Sequence, residues 1–131
     1  MDFEKWTPMM LSILRIVTGL IFLEHATQKL FGFPGPPQGG LPPTMSLLWY
    51  AAVIEIVCSP FLILGLFTRL AAFLLSGEMA IAYWTFHFPR NMYPLLNGGD
   101  AAILYCFVFL FIAVAGGGPL ALDSVVFRKK G

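Results

Sequence analysis

The sequence predicts an all-α protein whose four helices cross a membrane as a single bundle. Hydrophobic residues make up 58% of its 131 residues, charged residues make up only 11%, and the mean hydropathy is +0.80. Four apolar runs of about 17–24 residues could each cross a ~30 Å hydrocarbon core as a helix. These runs lack the alternation of barrel strands, and a helix satisfies its own backbone in lipid. We predict helices at about residues 8–31, 45–67, 69–87 and 100–116, within one domain over residues 1–131.

The first predicted helix has recognisable start and stop residues. Pro8 suits a first helical turn, and Gly32 followed by Pro34 prevents continuation. The loop at residues 32–44 holds five Pro and four Gly, so it cannot form a regular helix. The sequence leaves open whether this loop is a flexible surface segment or an ordered cap over the helix ends.

The second and third predicted helices each carry one acidic residue near the middle. Glu55 lies in the second helix, which Pro60 is expected to kink, and Glu78 lies at the centre of the third. The turn between them is so short that the two helices are expected to be antiparallel neighbours.

The fourth predicted helix is almost wholly apolar and follows a second irregular loop at residues 88–99. Asn97 or Asp100 can cap its N-terminus, and the glycines at 116–118 end it. An even number of spans places both termini on the same side of the membrane.

The distribution of basic residues predicts the orientation. The side that holds the termini and the turn at Arg69 is richer in Lys and Arg than the other side, which makes it cytoplasmic. We therefore expect a multi-pass protein of the inner (plasma) membrane, with cytoplasmic N and C termini and both long loops outside. The residues counted are Lys5, Arg69, Arg128, Lys129 and Lys130 on one side, and Lys29 and Arg90 on the other.

A polar stripe runs along the first predicted helix. At about 100° per residue, Arg15, Thr18, His25 and Lys29 fall within roughly 80° of one another, so they share one face. A central charge costs about 2.5–3.5 kcal/mol on insertion scales, so unpaired charges are disfavoured in lipid. We therefore predict that Arg15 turns inward and pairs with one or both of the buried acids.

The role of these buried charges is open on the sequence alone. Arg15, Glu55 and Glu78 could form an ion pair that only fixes helix register. They could equally line a polar cavity that binds a ligand or relays protons, which is the usual meaning of ionisable residues inside a membrane.

A second group of polar residues lies nearer the outer surface. His25 and Lys29 face the bundle one turn apart, whereas His87 falls about 180° from Glu78 on a regular helix and is expected at the rim with Asn97 and Asp100. Two histidines can ligate haem iron, but no further signature supports haem b. We predict no metal site, because no HxxxH or CxxC spacing occurs, and no nucleic-acid partner, because there is no basic block.

Four stretches together resemble the DoxX family of small four-helix membrane proteins. Glu78 matches an acidic position of the family's third helix, while Ala26, Asp100 and Ala121 depart from the residues most usual there, which are Gly, Glu and Ser. The other matching stretches are GLIFLEHATQKLFGFPGP at residues 19–36, AVIEIVCSPFLILGLFTRLAA at 52–72 and NGGDAAILY at 97–105.

The resemblance implies a subunit of a membrane redox system that interacts with quinone or quinol. Electrons would need a redox partner protein, because no haem, flavin or thiol relay is visible, and a homo-oligomer is compatible with the sequence. The alternative is a non-catalytic membrane adaptor or assembly factor with purely structural charges, and a transporter is a third reading. The predicted ligand-binding residues are Arg15, His25, Lys29, Glu55 and Glu78, with His87, Asn97 and Asp100 at the rim.

Overall fold

A computed structural model describes residues 2–37 and 40–126, and the regular elements in these ranges are all helical. The all-α prediction is therefore confirmed for the described chain. A π-helical turn, Tyr83–His87, continues the third helix, and 3₁₀ turns span Glu4–Trp6 and Phe88–Arg90. The α-helices are α1 Thr7–Phe31, α2 Leu47–Leu64, α3 Thr68–Ala82, α4 Pro94–Asn97, α5 Asp100–Ala115 and α6 Asp123–Val126.

The helix ends follow from residues that cap or stop a helix. Gly32 ends α1 in a left-handed conformation with φ 67°, and its N–H donates to the carbonyl of Gln28. The Ser46 hydroxyl begins α2 by accepting the N–H of Trp49 at 3.2 Å. Gly65, with φ 75°, ends α2 at Leu64, so the helix stops earlier than the predicted residue 67.

Two predictions about the second half of the chain need correction. The third helix does not continue as a regular α-helix to residue 87, because it widens into the π-helical turn after Ala82. The loop at residues 88–99 is not wholly irregular, since it contains a 3₁₀ turn and the single turn α4. Pro60 lies inside α2, which runs through it without a break in helical structure.

The four longer helices pack side by side in the order α1, α2, α3, α5. Phe22 of α1 closes the arrangement by making edge-on ring contacts with Tyr105 and Phe109 of α5, at centroid distances of 5.1 and 4.9 Å. Leu62 and Leu75 are fully buried in the same core. The interior therefore lies among the four longer helices, with the closest packing between α1 and α2 and between α3 and α5.

Two stretches of the described chain are helical, long and apolar enough to cross a membrane, Glu4–Phe31 and Leu47–Leu64. Only 28% of the most apolar 18 residues of each stretch is buried. Most of each helix surface is therefore exposed, and it carries large hydrophobic side chains. The apolar helix α5 is shorter. The basic tail residues 128–130, which entered the orientation argument, lie outside the described residues.

Candidate functional site

Arg15 is fully buried, but it does not contact either acid of the neighbouring helices. Its guanidinium donates hydrogen bonds to the backbone carbonyls of Gly117 and Leu120, the second at 3.0 Å. The predicted pairing of Arg15 with Glu55 or Glu78 is therefore wrong. Arg15 and Lys29 share a helix face, yet their separation of 14 positions corresponds to about 21 Å along the axis, and the acids lie towards the Lys29 end.

Two of the three carbonyl partners of Arg15 belong to the segment that follows α5 and folds back against the start of α1, and the third is Ile63 of α2 at 3.5 Å. Ser12 supports the same segment, since its hydroxyl donates to the carbonyl of Gly117 at 3.0 Å and accepts the N–H of Leu120 at 3.1 Å. A Cβ atom at Gly118 would lie 2.3 Å from the Ser12 oxygen, so glycine is required by this close approach. We call residues 116–123 the return segment.

Asp123 ends the return segment by capping α3. Its two carboxylate oxygens accept the N–H groups of Phe67 and Thr68 at 2.7 and 2.9 Å. Partial burial acts to raise the pKa of the Asp123 carboxyl. The N–H donors of Thr68 and Phe67, together with the Arg15 guanidinium, outweigh burial, and the pKa lies below its ordinary value.

Replacing Asp123 with alanine should lower the free energy of unfolding by about 1 kcal/mol, which is typical of a lost helix cap. Because the folded pKa of Asp123 is depressed, its stabilisation is present above the unfolded pKa of about 3.9 and is lost as the pH falls through the folded pKa. Thermal melts of the detergent-solubilised protein should thus separate wild type from Asp123→Ala at neutral pH and converge at strongly acidic pH. A constant difference across this range would contradict the capping role.

At the other end of the stripe, Lys29 forms an ion pair with Glu55. The ammonium lies 2.7 Å from Glu55 Oε1, and the Glu55 side chain is fully buried whereas that of Lys29 is 26% exposed. Glu78 lies next to Glu55 and within electrostatic reach of Lys29. In the described chain, Glu55 Oε2 and both carboxyl oxygens of Glu78 are buried without a hydrogen-bond partner.

We call Lys29, Glu55 and Glu78 the buried charge cluster. It contains two acids and one base, so a proton or a further positive group must balance the second acid when it is enclosed by apolar residues. A cluster of this kind can exchange a proton with a bound molecule while its remaining members stay paired.

Lys29 also lines a cavity of about 330 Å³, which we call the polar cavity. Side chains with hydrogen-bonding groups enter it from α1, from α5 and from the segment after α3. Apolar side chains form the rest of its wall, including Phe22, Leu48 and Met79. The lining residues with polar side chains are His25, Lys29, His87, Arg90 and Tyr105.

His25 reaches the polar cavity from α1, one turn before Lys29. Its ring lies 5.8 Å from the ring of Tyr105 and 6.3 Å from that of Phe22, centroid to centroid. In the described part of the chain His25 makes ring contacts but no hydrogen bond, so both of its nitrogens are available to a ligand. His25 and Lys29 line the same cavity, but His25 is an exposed residue and is not enclosed within the helices.

His87 enters the cavity because of the π-helical turn. Its Nδ1 lies 3.2 Å from the backbone carbonyl oxygen of Asn97. The side chain of Asn97 is buried, where its amide group donates a hydrogen bond to the hydroxyl of Tyr83 and its Oδ1 accepts one from the N–H of Gly99. Asn97 therefore holds His87 and Gly99 in place at the edge of the cavity, but it does not itself line the cavity. Asp100 is exposed in the first turn of α5 and does not line the cavity either.

Sequence reasoning missed two residues of the cavity. Arg90 entered the argument only as an outer charge, and Tyr105 only as part of an apolar helix, yet both line the cavity. The one available signal was that Tyr105 carries a hydroxyl in an otherwise apolar helix. The described residues contain no group of three His, Cys, Asp or Glu side chains that could hold a metal ion.

The chemistry of the polar cavity follows from its donors. Imidazole, ammonium, guanidinium and phenol groups can all donate hydrogen bonds, which suits a ligand with oxygen acceptors. The apolar walls suit a flat ring or a hydrocarbon body, and the volume lies near the lower end of the range for small-molecule sites.

Comparison with known proteins places this architecture among membrane proteins. The DoxX family model matches residues 10–88. A Haemophilus influenzae protein, "Uncharacterized protein", is 45% identical and aligns over 98% of both chains. "Putative oxidoreductase CatD" of Bacillus subtilis is 30% identical over 90% of this chain and 87% of its own, and "Inner membrane protein YphA" of Escherichia coli is 30% identical over 93% and 94%. No solved structure matches the chain significantly.

Proposed function

Because the chain belongs to the DoxX family of membrane proteins, we propose that it binds a quinone or quinol headgroup in the polar cavity, as one subunit of a membrane redox system. The single observation that carries this proposal is the convergence of His25, Lys29 and Tyr105 on one cavity with apolar walls. The name of the Bacillus subtilis relative supports an oxidoreductase, and that of the Escherichia coli relative supports the inner membrane.

The proposed arrangement in the membrane has four spans. They are α1, α2, α3 with its π-helical turn, and α5, and both termini lie on the cytoplasmic side. At 1.5 Å per residue, the 16 residues of α5 extend about 24 Å, so this span needs local thinning of the bilayer or support from its flanking residues. The polar cavity then opens near the outer surface, and the return segment lies at the cytoplasmic end.

The chain's own residues would hold the headgroup by hydrogen bonds to its oxygens. His25 and Lys29 stand one turn apart, so they can donate to one oxygen, while Tyr105 approaches from α5. Phe22 and Met79 offer apolar surface to the ring. Arg15 is not part of this proposed site, because its hydrogen bonds are with the return segment.

The buried charge cluster gives the proposed site a route for protons. Oxidation of a quinol releases two electrons and two protons. Lys29 touches both the cavity and Glu55, and Glu78 lies beyond Glu55, so the cluster can accept one of the two protons from the cavity side. The imidazole of His25, which makes no hydrogen bond in the described chain, can accept the other. The electrons would pass to a redox partner protein, because the sequence carries no haem, flavin or thiol-relay signature.

Replacing His25 with leucine should weaken binding of a short-chain ubiquinone about twofold to tenfold, because one hydrogen bond is worth about 0.5–1.5 kcal/mol. The thermal melt should remain close to that of wild type, since His25 makes only ring contacts in the described chain. Binding would be measured by titrating the purified protein in lipid nanodiscs, with extraction and mass spectrometry to detect co-purified quinone.

Lys5→Met is a suitable control, because it changes an exposed residue beside α1 that lies far from the cavity. Wild-type protein that neither retains nor binds any quinone would overturn the proposed function. In that case the adaptor or assembly factor would become the better reading, with the buried charges serving packing alone.

A further inference from the structure

A long groove between α2 and α3 opens on the outer surface of the helices. Its volume is about 610 Å³, nearly twice that of the polar cavity. Its walls are side chains such as Ile54, Val57, Leu74 and Ile81, and almost all of its surface is hydrocarbon. We call it the α2–α3 groove.

Glu78 lines this groove without making it polar. Both of its carboxyl oxygens are buried, and they lie next to Glu55 and near Lys29 rather than at the groove surface. The groove therefore meets the aliphatic part of Glu78. Such a surface does not suit a cationic or strongly polar ligand, and it does suit a hydrocarbon chain.

Gly77 leaves the floor of the groove open. A Cβ atom added at this position would meet no atom within 4 Å, so no neighbour in the described chain requires glycine there. Glycine in a helix interior is unfavourable relative to alanine, and Gly77 lies well inside α3. The packing of the described chain thus gives no reason for this glycine, and a large side chain placed here would project into the groove.

The α2–α3 groove and the polar cavity adjoin each other. Ala82 and Phe86 line both, at the point where α3 widens into the π-helical turn. We propose that the α2–α3 groove holds the isoprenoid tail of the quinone whose headgroup occupies the polar cavity. This inference rests on the proposed function, and it makes the groove the route by which the molecule enters from the lipid.

A Cβ atom at Gly77 has open space around it, so phenylalanine at this position can place its ring in the groove. The expected result in nanodiscs is that a long-chain ubiquinone binds at least about tenfold more weakly, which corresponds to displacing roughly two buried methylene groups. A ubiquinone with a single isoprene unit should bind as it does to wild type. Val114→Phe is the matched control, because it adds the same ring to an exposed position of α5 outside the groove.

The outcomes separate this inference from the function on which it rests. If wild type binds neither quinone, the proposed function fails and the groove assignment fails with it. If wild type binds both and Gly77→Phe leaves the long-chain quinone unaffected, or weakens both quinones equally, only the groove assignment is overturned. The groove assignment would also be overturned if Gly77→Phe converted a dimer to a monomer and left quinone binding unchanged. The groove would then be occupied by a second copy of the chain and not by the quinone tail. Gly77→Ala, which should keep both affinities, checks that the helix tolerates a side chain there.

Discussion

Replacing Arg15 with methionine should remove most of the stability of the folded protein. The guanidinium is fully buried and supplies donors to the carbonyls of Gly117 and Leu120. The Gly117 carbonyl keeps the Ser12 hydroxyl as a donor, but both hydrogen bonds from the charged guanidinium are lost. A hydrogen bond that involves a charged group is worth about 1.5–3 kcal/mol, so the two together are worth about 3–6 kcal/mol. Native domains are stable by only about 5–15 kcal/mol, which makes this a severe loss.

The loss can be followed through the two free thiols of the chain. Cys58 is buried at the wall of the apolar α2–α3 groove and Cys106 is partly buried, so a charged thiol-reactive dye, which does not suit that groove, should label Cys58 only when the helices separate. Arg69→Met is the matched control, because it removes the same charge from an exposed residue that donates to Val114. Arg15→Met should melt far below Arg69→Met, and equal melting temperatures would contradict the role assigned to Arg15.

Arg15 also shows where reasoning from the sequence reached its limit. Its burial and inward direction followed from the stripe it shares with Thr18, His25 and Lys29. Its partners did not follow, because backbone carbonyls carry no residue-type signal. The chain returns to α1 more than 100 residues later, and nothing in the glycines at 116–118 identifies which side chain they will meet.

The residues that line the polar cavity also differ in whether local sequence patterns predict their positions. The i, i+4 spacing of His25 and Lys29 predicted their common direction, and the hydrophobic runs predicted the helices that carry them. The placement of His87 depended on the π-helical turn, which no pattern in residues 83–87 indicates. Arg90 and Tyr105 enter the cavity through the packing of α3 against α5, which is a property of the whole fold.

Replacing Lys29 with methionine should be the second most damaging change, and a second substitution should repair it. The single change leaves the carboxylate of Glu55 fully buried with no positive partner, which typically costs about 3–5 kcal/mol. The double variant Lys29→Met/Glu55→Gln carries no charge at either position, so no buried carboxylate is left without its partner there. Its melting temperature should therefore be higher than that of Lys29→Met. Lys5→Met, on an exposed residue, should melt like wild type.

This double-mutant cycle separates a structural role of the ion pair from a role in binding. If Lys29 donates to a quinone oxygen, the double variant should regain its fold but still bind short-chain ubiquinone about tenfold more weakly than wild type, because a donor to the headgroup is missing. Full recovery of both folding and binding would mean that Lys29 acts only as the ion-pair partner of Glu55 and does not contact the quinone. No recovery of the melting temperature would mean that the buried carboxylate of Glu55 is balanced by a group other than Lys29.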